Sequence, residues 1–195
     1  MKYSVYQIHI LLKDSKPRIW RRILINSTSL LPDLHLAIQA SMGWLNYHLH
    51  QFIKDDIDYS PKTPDDIDYW DDSYMIDYKN TIISDLLTKE KDKIMYEYDF
   101  GDDWEHYITL EKIHEMDGKL PFPICIKGKM SCPPEDSHGI WGYMDILEII
   151  KNPKHEDYKE FSEWFDEDFN PEFFDIEETN IELVSNFLAE LKDSV

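Results

Sequence analysis

From Tyr3 to Ile10 the side chains alternate, Tyr3, Val5, Gln7 and His9 falling to one side and Ser4, Tyr6, Ile8 and Ile10 to the other, which is the period of an extended strand. Ile19 to Ile25 is a second β-branched run, and the turn-forming stretch Lys13 to Pro17 between them predicts a hairpin. The period then lengthens. Leu31, Leu34, Ile38 and Met42 form a helical stripe with His35 beside it, Thr28 or Ser29 in position to cap it, Pro32 in the first turn and Gly43 at its end. Tyr47 to Ile53 returns to alternation and predicts a strand with His48, His50 and Phe52 on one face.

Further on, Ile94 to Leu110 reads as two strands joined through Asp99 to Asp103, since Tyr96, Tyr98 and Phe100 precede a Gly-Asp turn and Tyr107, Ile108 and Leu110 follow it. Pro121 to Pro134 reads as irregular. Beyond it the pattern is helical: Tyr143, Ile146, Leu147 and Ile150 share a face, as do Tyr158, Phe161 and Phe165, and Leu183, Phe187, Leu188 and Leu191. Thr179 with Glu182 is a capping box for the last of these. Strands early and helices late predict an α+β fold: an antiparallel sheet built from the N-terminal and central hairpins, with helices packed on one face or end and a mostly helical C-terminal part.

Between residues 55 and 79 an acidic excursion interrupts this order. Asp-Asp-Ile-Asp-Tyr occurs at Asp55 to Tyr59 and again at Asp65 to Tyr69, and Met75 to Tyr78 echoes it. No register places glycine sixth and glutamate twelfth, so an EF-hand is excluded. Tyrosine and isoleucine are expected to grip the core while the aspartates stay in water, and a short helix around Ile82 to Leu87 returns the chain to the body.

Charge narrows the partners. Asp and Glu total 40 against 20 Lys and Arg, a net charge of −20 over 195 residues, so a phosphate backbone is repelled and general nucleic-acid binding is not expected. A basic protein partner suits this surface. No linker divides the chain, which predicts a single domain over 1–195. Met1 to Leu12 lacks the apolar core and cleavage site of a signal peptide, and no apolar run is long enough to span a membrane. With only two cysteines, Cys125 and Cys132, a disulfide framework is not indicated, and a cytoplasmic protein is the expectation.

Candidate chemistry gathers in a few blocks. Ile19-Trp20-Arg21-Arg22, Leu34-His35, Gly43-Trp44, His48 to Phe52, Tyr98-Asp99-Phe100-Gly101-Asp102-Asp103-Trp104-Glu105-His106, Pro133-Pro134-Glu135-Asp136, Gly142-Tyr143 and Trp164 resemble, in this order, the plasmid pRiA "ORF three"-like family. The resemblance runs over nearly the whole chain and implies a compact α+β domain of unassigned function, associated with plasmids and mobile elements. One departure stands out: where the family has a pair of glycines after Pro-Pro-Glu-Asp, Ser137-His138-Gly139-Ile140 keeps one.

The candidate cluster drawn from these blocks is Arg21, Arg22, His35, His48, His50, Asp99, Asp102, Asp103, Trp104, His106, Glu135 and Asp136. A divalent metal is one use of it, with His48, His50, Asp102 and His106 as ligands and hydrolysis by an activated water as the reaction class. The structural use is the other: Asp99 or Asp102 bonding turn amides, Gly101 supplying a positive φ, Trp104 filling the core, and Arg21 or Arg22 turned inward to pair with Asp102, Asp103 or Glu135. Glu135 and Asp136 can serve acid–base work or cap the helix that follows. Nothing resembles a nucleophile elbow, a phosphate loop or a dinucleotide fingerprint. The expectation is a non-enzymatic interaction or ligand-binding module without a cofactor, an accessory of mobile elements; the metal-dependent hydrolase is the alternative.

Overall fold

The computed structural model describes residues 2–62, 74–164 and 169–193. The second Asp-Asp-Ile-Asp-Tyr copy, Phe165, and the side chains of Trp164 and Leu191 lie outside what is described. Eight strands make one sheet: β1 (Lys2–Leu12), β2 (Trp20–Asn26), β3 (His50–Lys54), β4 (Ile57–Ser60), β5 (Met75–Asp77), β6 (Lys93–Tyr98), β7 (Trp104–Asp117) and β8 (Ile124–Lys129). Their spatial order is β5-β4-β3-β6-β7-β1-β2-β8. Every pairing is antiparallel except β4 with β5.

One face of this sheet carries the core. Tyr6, Ile8, Ile10 and Leu12 of β1, Ile23 and Ile25 of β2, Phe52 of β3, Tyr96 and Tyr98 of β6, and Trp104, Ile108 and Leu110 of β7 are all buried. They pack with Leu31, Leu34 and Ile38 of α1 (Leu31–Met42), Ile83 of α2 (Ile83–Leu86), Tyr143 and Ile146 of α3 (Gly139–Ile150), and Leu183 of α5 (Ile176–Asp193). A further short helix, α4, spans Tyr158–Trp164. The other face mixes apolar side chains such as Tyr107, Ile124 and Ile126 with charged ones. There the register slips between Gln7 and Ile8, making Glu111 the extra residue of β7, and Glu111 accepts from Arg22 Nε and Nη2 at 2.5 and 2.7 Å and from Gln7 Nε2 at 2.7 Å.

Several expectations need correction. The acidic excursion is partly sheet, since β4 and β5 extend it at one edge, with Tyr59 packed on the core. The irregular stretch contains β8. Thr28 and Ser29 do not cap α1; Leu30 precedes it, and its N–H donates to the Asp33 carboxylate at 2.8 Å. Nor do Thr179 and Glu182 open the last helix, because Asp175 Oδ1 has already taken the Glu177 and Glu178 amides at 2.8 and 3.0 Å. The C-terminal part is only partly helical, with turns and irregular backbone at residues 151–157 and 169–175. Among the described residues no helix is long and apolar enough to cross a membrane.

Candidate functional site

The predicted strand Tyr47 to Ile53 begins only at His50, and that late start shapes the site. Residues 44–49 form a loop whose amides are taken by side chains. Leu45 N–H donates to Glu135 Oε2 at 3.1 Å, Asn46 N–H to Gln39 Oε1 at 3.1 Å and Tyr47 N–H to the Tyr98 hydroxyl at 3.0 Å. Trp44 Nε1 donates to the Pro133 carbonyl at 3.0 Å, and the Tyr98 hydroxyl donates to Glu135 Oε1. Pinned from inside, the loop turns Leu45, Tyr47 and Leu49 outward at 64%, 78% and 62% exposure.

Beneath it runs a closed polar ring. Gln39 Nε2 donates to the Tyr96 hydroxyl at 2.9 Å, Tyr96 lies 2.8 Å from His35 Nδ1, and His35 Nε2 lies 2.8 Å from Asn46 Oδ1. The Asn46 oxygen can only accept, so the neutral His35 carries its proton on Nε2 and Nδ1 accepts from Tyr96. His50 stacks on His35 at 3.5 Å between centroids, nearly parallel at 6°, and its Nε2 lies 2.8 Å from the Tyr78 hydroxyl. Burial lowers His35 to about 4; burial and the neighbouring His35 lower His50 to about 3. His106, fully buried between Trp44 and Tyr96, is lowered by burial to about 4, against which the backbone of Trp104 and Tyr96 acts weakly, and among the described residues neither ring nitrogen makes a well-formed hydrogen bond. These imidazoles are neutral at physiological pH.

Tyr96→Phe tests the ring. It strips the acceptor from Gln39 and the donor from His35, so unfolding stability should fall by about 1–3 kcal/mol, read as a shift of the urea midpoint.

The expected metal quartet is not brought together. His50 faces Tyr78, His106 faces apolar rings, and Asp102 points a buried Oδ2 at no partner. Among the described residues the convergent ligand atoms belong to His48, Asp99 and Asp136. Yet Nδ1 of His48 faces Asp99 at 3.6 Å while Nε2 faces Asp136 at 3.7 Å. Each of the three offers one ligand atom, and the imidazole stands between the two carboxylates.

The remaining candidates make contacts within the fold. Asp99, at φ 58°, accepts the Gly101 N–H on Oδ1 at 2.9 Å, and the positive φ falls on Asp99 and Asp103 instead of Gly101. Trp104 fills the core as expected. Glu135 and Asp136 cap nothing: His138 precedes α3 without a side-chain bond. Gly139 makes the close approach by itself, since a Cβ there would stand 2.3 Å from the Asp102 carbonyl oxygen. Arg22 pairs with Glu111 on the open face. Arg21 turns inward but meets none of Asp102, Asp103 or Glu135; Nε donates to the Ser41 carbonyl at 2.7 Å and Nη1 to those of Trp20 and Lys129 at 3.0 and 3.1 Å.

Arg21 leads to what sequence reasoning missed. Beside it opens a cleft of ≈ 730 Å³ between the C-terminal half of α1 with the 44–46 loop on one side and α5 with Phe173–Asp175 on the other. Asp175, Glu178 and Glu182 stand along one wall and Leu45 on the other. Cys132 also lines it, its thiol pushed up by burial to about 12 and so inert as a nucleophile. The signal was the run of acids on the open side of the last helix, visible only once α5 is known to face α1.

Fold and site together define a mostly antiparallel α+β protein, with helices over a buried His–Tyr–Gln network and an acid-lined cleft at their edge. The chain belongs to the plasmid pRiA4b ORF-3-like protein family, whose model matches residues 4–178. It is 34% identical over 164 residues to uncharacterized protein y4hQ of Sinorhizobium fredii, covering 84% of this chain and 82% of that one. It also resembles the crystal structure of a protein of unknown function, MM3350 of Methanosarcina mazei, with a TM-score of 0.79 and 35% identity over 90% of this chain and 97% of that one.

Proposed function

We propose that this protein is a non-enzymatic binding module whose cleft between α1 and α5 takes an extended, basic peptide segment of a protein partner. The observation that carries this is the cleft itself: ≈ 730 Å³, lined by Asp175, Glu178 and Glu182, with no titrating histidine at its wall. The net charge of −20 steers a cationic partner toward it and a nucleic acid away. Leu45 at the cleft edge, presented by a loop already fixed by Glu135, Gln39 and Tyr98, adds apolar contact without ordering cost. Such a role needs no cofactor, suits a single cytoplasmic domain, and fits an accessory protein of plasmids and mobile elements.

The test is binding of labelled peptides with alternating lysines, followed by fluorescence anisotropy across a salt series. Affinity should fall steeply with salt, be indifferent to a chelator, and drop about tenfold or more when Glu178→Lys and Glu182→Lys are combined. Binding that ignores both the salt and the double substitution would sink the reading. Binding that a chelator abolishes would return attention to His48, Asp99 and Asp136.

A further inference from the structure

Resting on that reading, we propose that Arg21 is a carboxylate-binding residue at the floor of the cleft, and that the basic peptide enters C-terminus first. Arg21 as a whole is only 3% exposed, and its guanidinium has no carboxylate partner among the described residues. Its Nε and Nη1 are committed to three backbone carbonyls, while Nη2 has no acceptor there. Carbonyls supply dipoles, not charge. Even the Ser41 carbonyl, in the last turn of α1, contributes only about half an elementary charge through the helix dipole. The neighbouring thiols, Cys125 and Cys132, are both raised by burial and stay protonated. A buried cation without a counter-charge is costly, and an anion arriving from the cleft removes that cost.

The surroundings fix the side chain in place. The Phe174 ring lies 4.3 Å from the guanidinium carbon and sits so closely over Gly128 that a Cβ there would come within 2.5 Å of it. Packed against Phe174, which lines the cleft as well, the side chain is held among the residues of the cleft wall with Nη2 unengaged.

Above this floor the wall is negative. Glu178 and Glu182 are four residues apart on α5, hence about 6 Å along the axis. Alternate side chains of an extended peptide are spaced by about 6.6 Å. A C-terminal segment with lysine or arginine at alternate positions thus matches the wall while its terminal carboxylate meets Arg21. An opposite-sign floor also gives direction, because the reversed peptide would bring an ammonium group onto Arg21.

The experiment compares two versions of one lysine-alternating peptide on the unaltered protein, one ending in a free carboxylate and one in a carboxamide. The amide carries one more net positive charge, so attraction to the acidic wall alone predicts equal or tighter binding. Recognition by Arg21 predicts the amide about tenfold or more weaker. Equal or tighter amide binding overturns the assignment and leaves the cleft reading standing. Failure of both peptides to bind overturns the cleft reading itself. Arg21→Met, with native circular dichroism, removes the charge and should lose discrimination between the peptides; retained discrimination also overturns the assignment. Should that variant not fold, the unaltered protein still decides.

Discussion

Replacing Trp104 with alanine should destabilise the protein by about 3–5 kcal/mol, a loss on the scale of the whole stability of many domains. Trp104 is fully buried at the start of β7, 5.8 Å from the Trp44 ring between centroids, and Trp44 in turn stacks on Tyr98 at 5.0 Å. Removing the indole opens a cavity beneath the two aromatics that anchor the 44–49 loop, Trp44 through Pro133 and Tyr98 through Tyr47 and Glu135. The functional consequence follows from packing: the loop loses its footing and the cleft one wall. Among the described residues Trp104 Nε1 has no partner, so the indole N–H already carries an unmet hydrogen-bonding cost. Trp104→Phe deletes that group and leaves a smaller void, and should therefore cost clearly less than the alanine variant. Urea unfolding of both variants checks this. A phenylalanine variant as unstable as the alanine one would mean that the ring's shape, not its volume, holds the loop.

How legible all this was in the sequence depends on the range of the interaction. The hairpin of β1 and β2, the stripe of α1 and the pair β6–β7 followed from period alone, because each buries one face against the same core. The failures share a cause. Thr28, Ser29 and Thr179 have the chemistry of caps, but Asp33 and Asp175 reach the orphan amides first. Alternation from residue 47 imitated a strand where the chain is still a loop, its amides at 45–47 drawn off by Glu135, Gln39 and Tyr98, residues distant in sequence or on another element. The Tyr98–His106 block supplies Tyr98 and Trp104 to the footing of the 44–49 loop. Its histidine nevertheless packs among aromatics, and the convergence of His48, Asp99 and Asp136 needed the loop geometry to be seen. Either Arg21 or Arg22 was expected inward with Asp102, Asp103 or Glu135 as partner; Arg21 turns inward, and among the described residues it meets the carbonyls of Ser41, Trp20 and Lys129 instead.

Acid should unfold this protein through its buried histidines before its carboxylates titrate. His35, His50 and His106 have folded pKa values lowered to about 4, 3 and 4, against about 6.5 in an unfolded chain. Above that value both states are neutral and the histidines are indifferent to pH. Below it the unfolded chain takes up protons that the folded one refuses, so stability falls as pH drops from about 6.5 toward 4. Each such site contributes about 1.4 kcal/mol per pH unit, and three together a limiting slope of roughly 4 kcal/mol per unit. His9, lowered by burial, acts in the same direction. Asp33 and Asp58, raised by burial, work the opposite way, but chiefly lower, near the carboxylate range. The ring explains why refusal is firm: a proton on His35 Nδ1 would face the hydroxyl that must donate to it, while Gln39 already occupies Tyr96 as a donor. Urea unfolding at pH 7.5, 6 and 5 should show stability dropping by on the order of 5 kcal/mol, with close to three protons taken up on unfolding at pH 5. A flat profile between pH 7 and 5 would mean that the three imidazoles admit protons in the folded state, and that the His–Tyr–Gln ring is open to water.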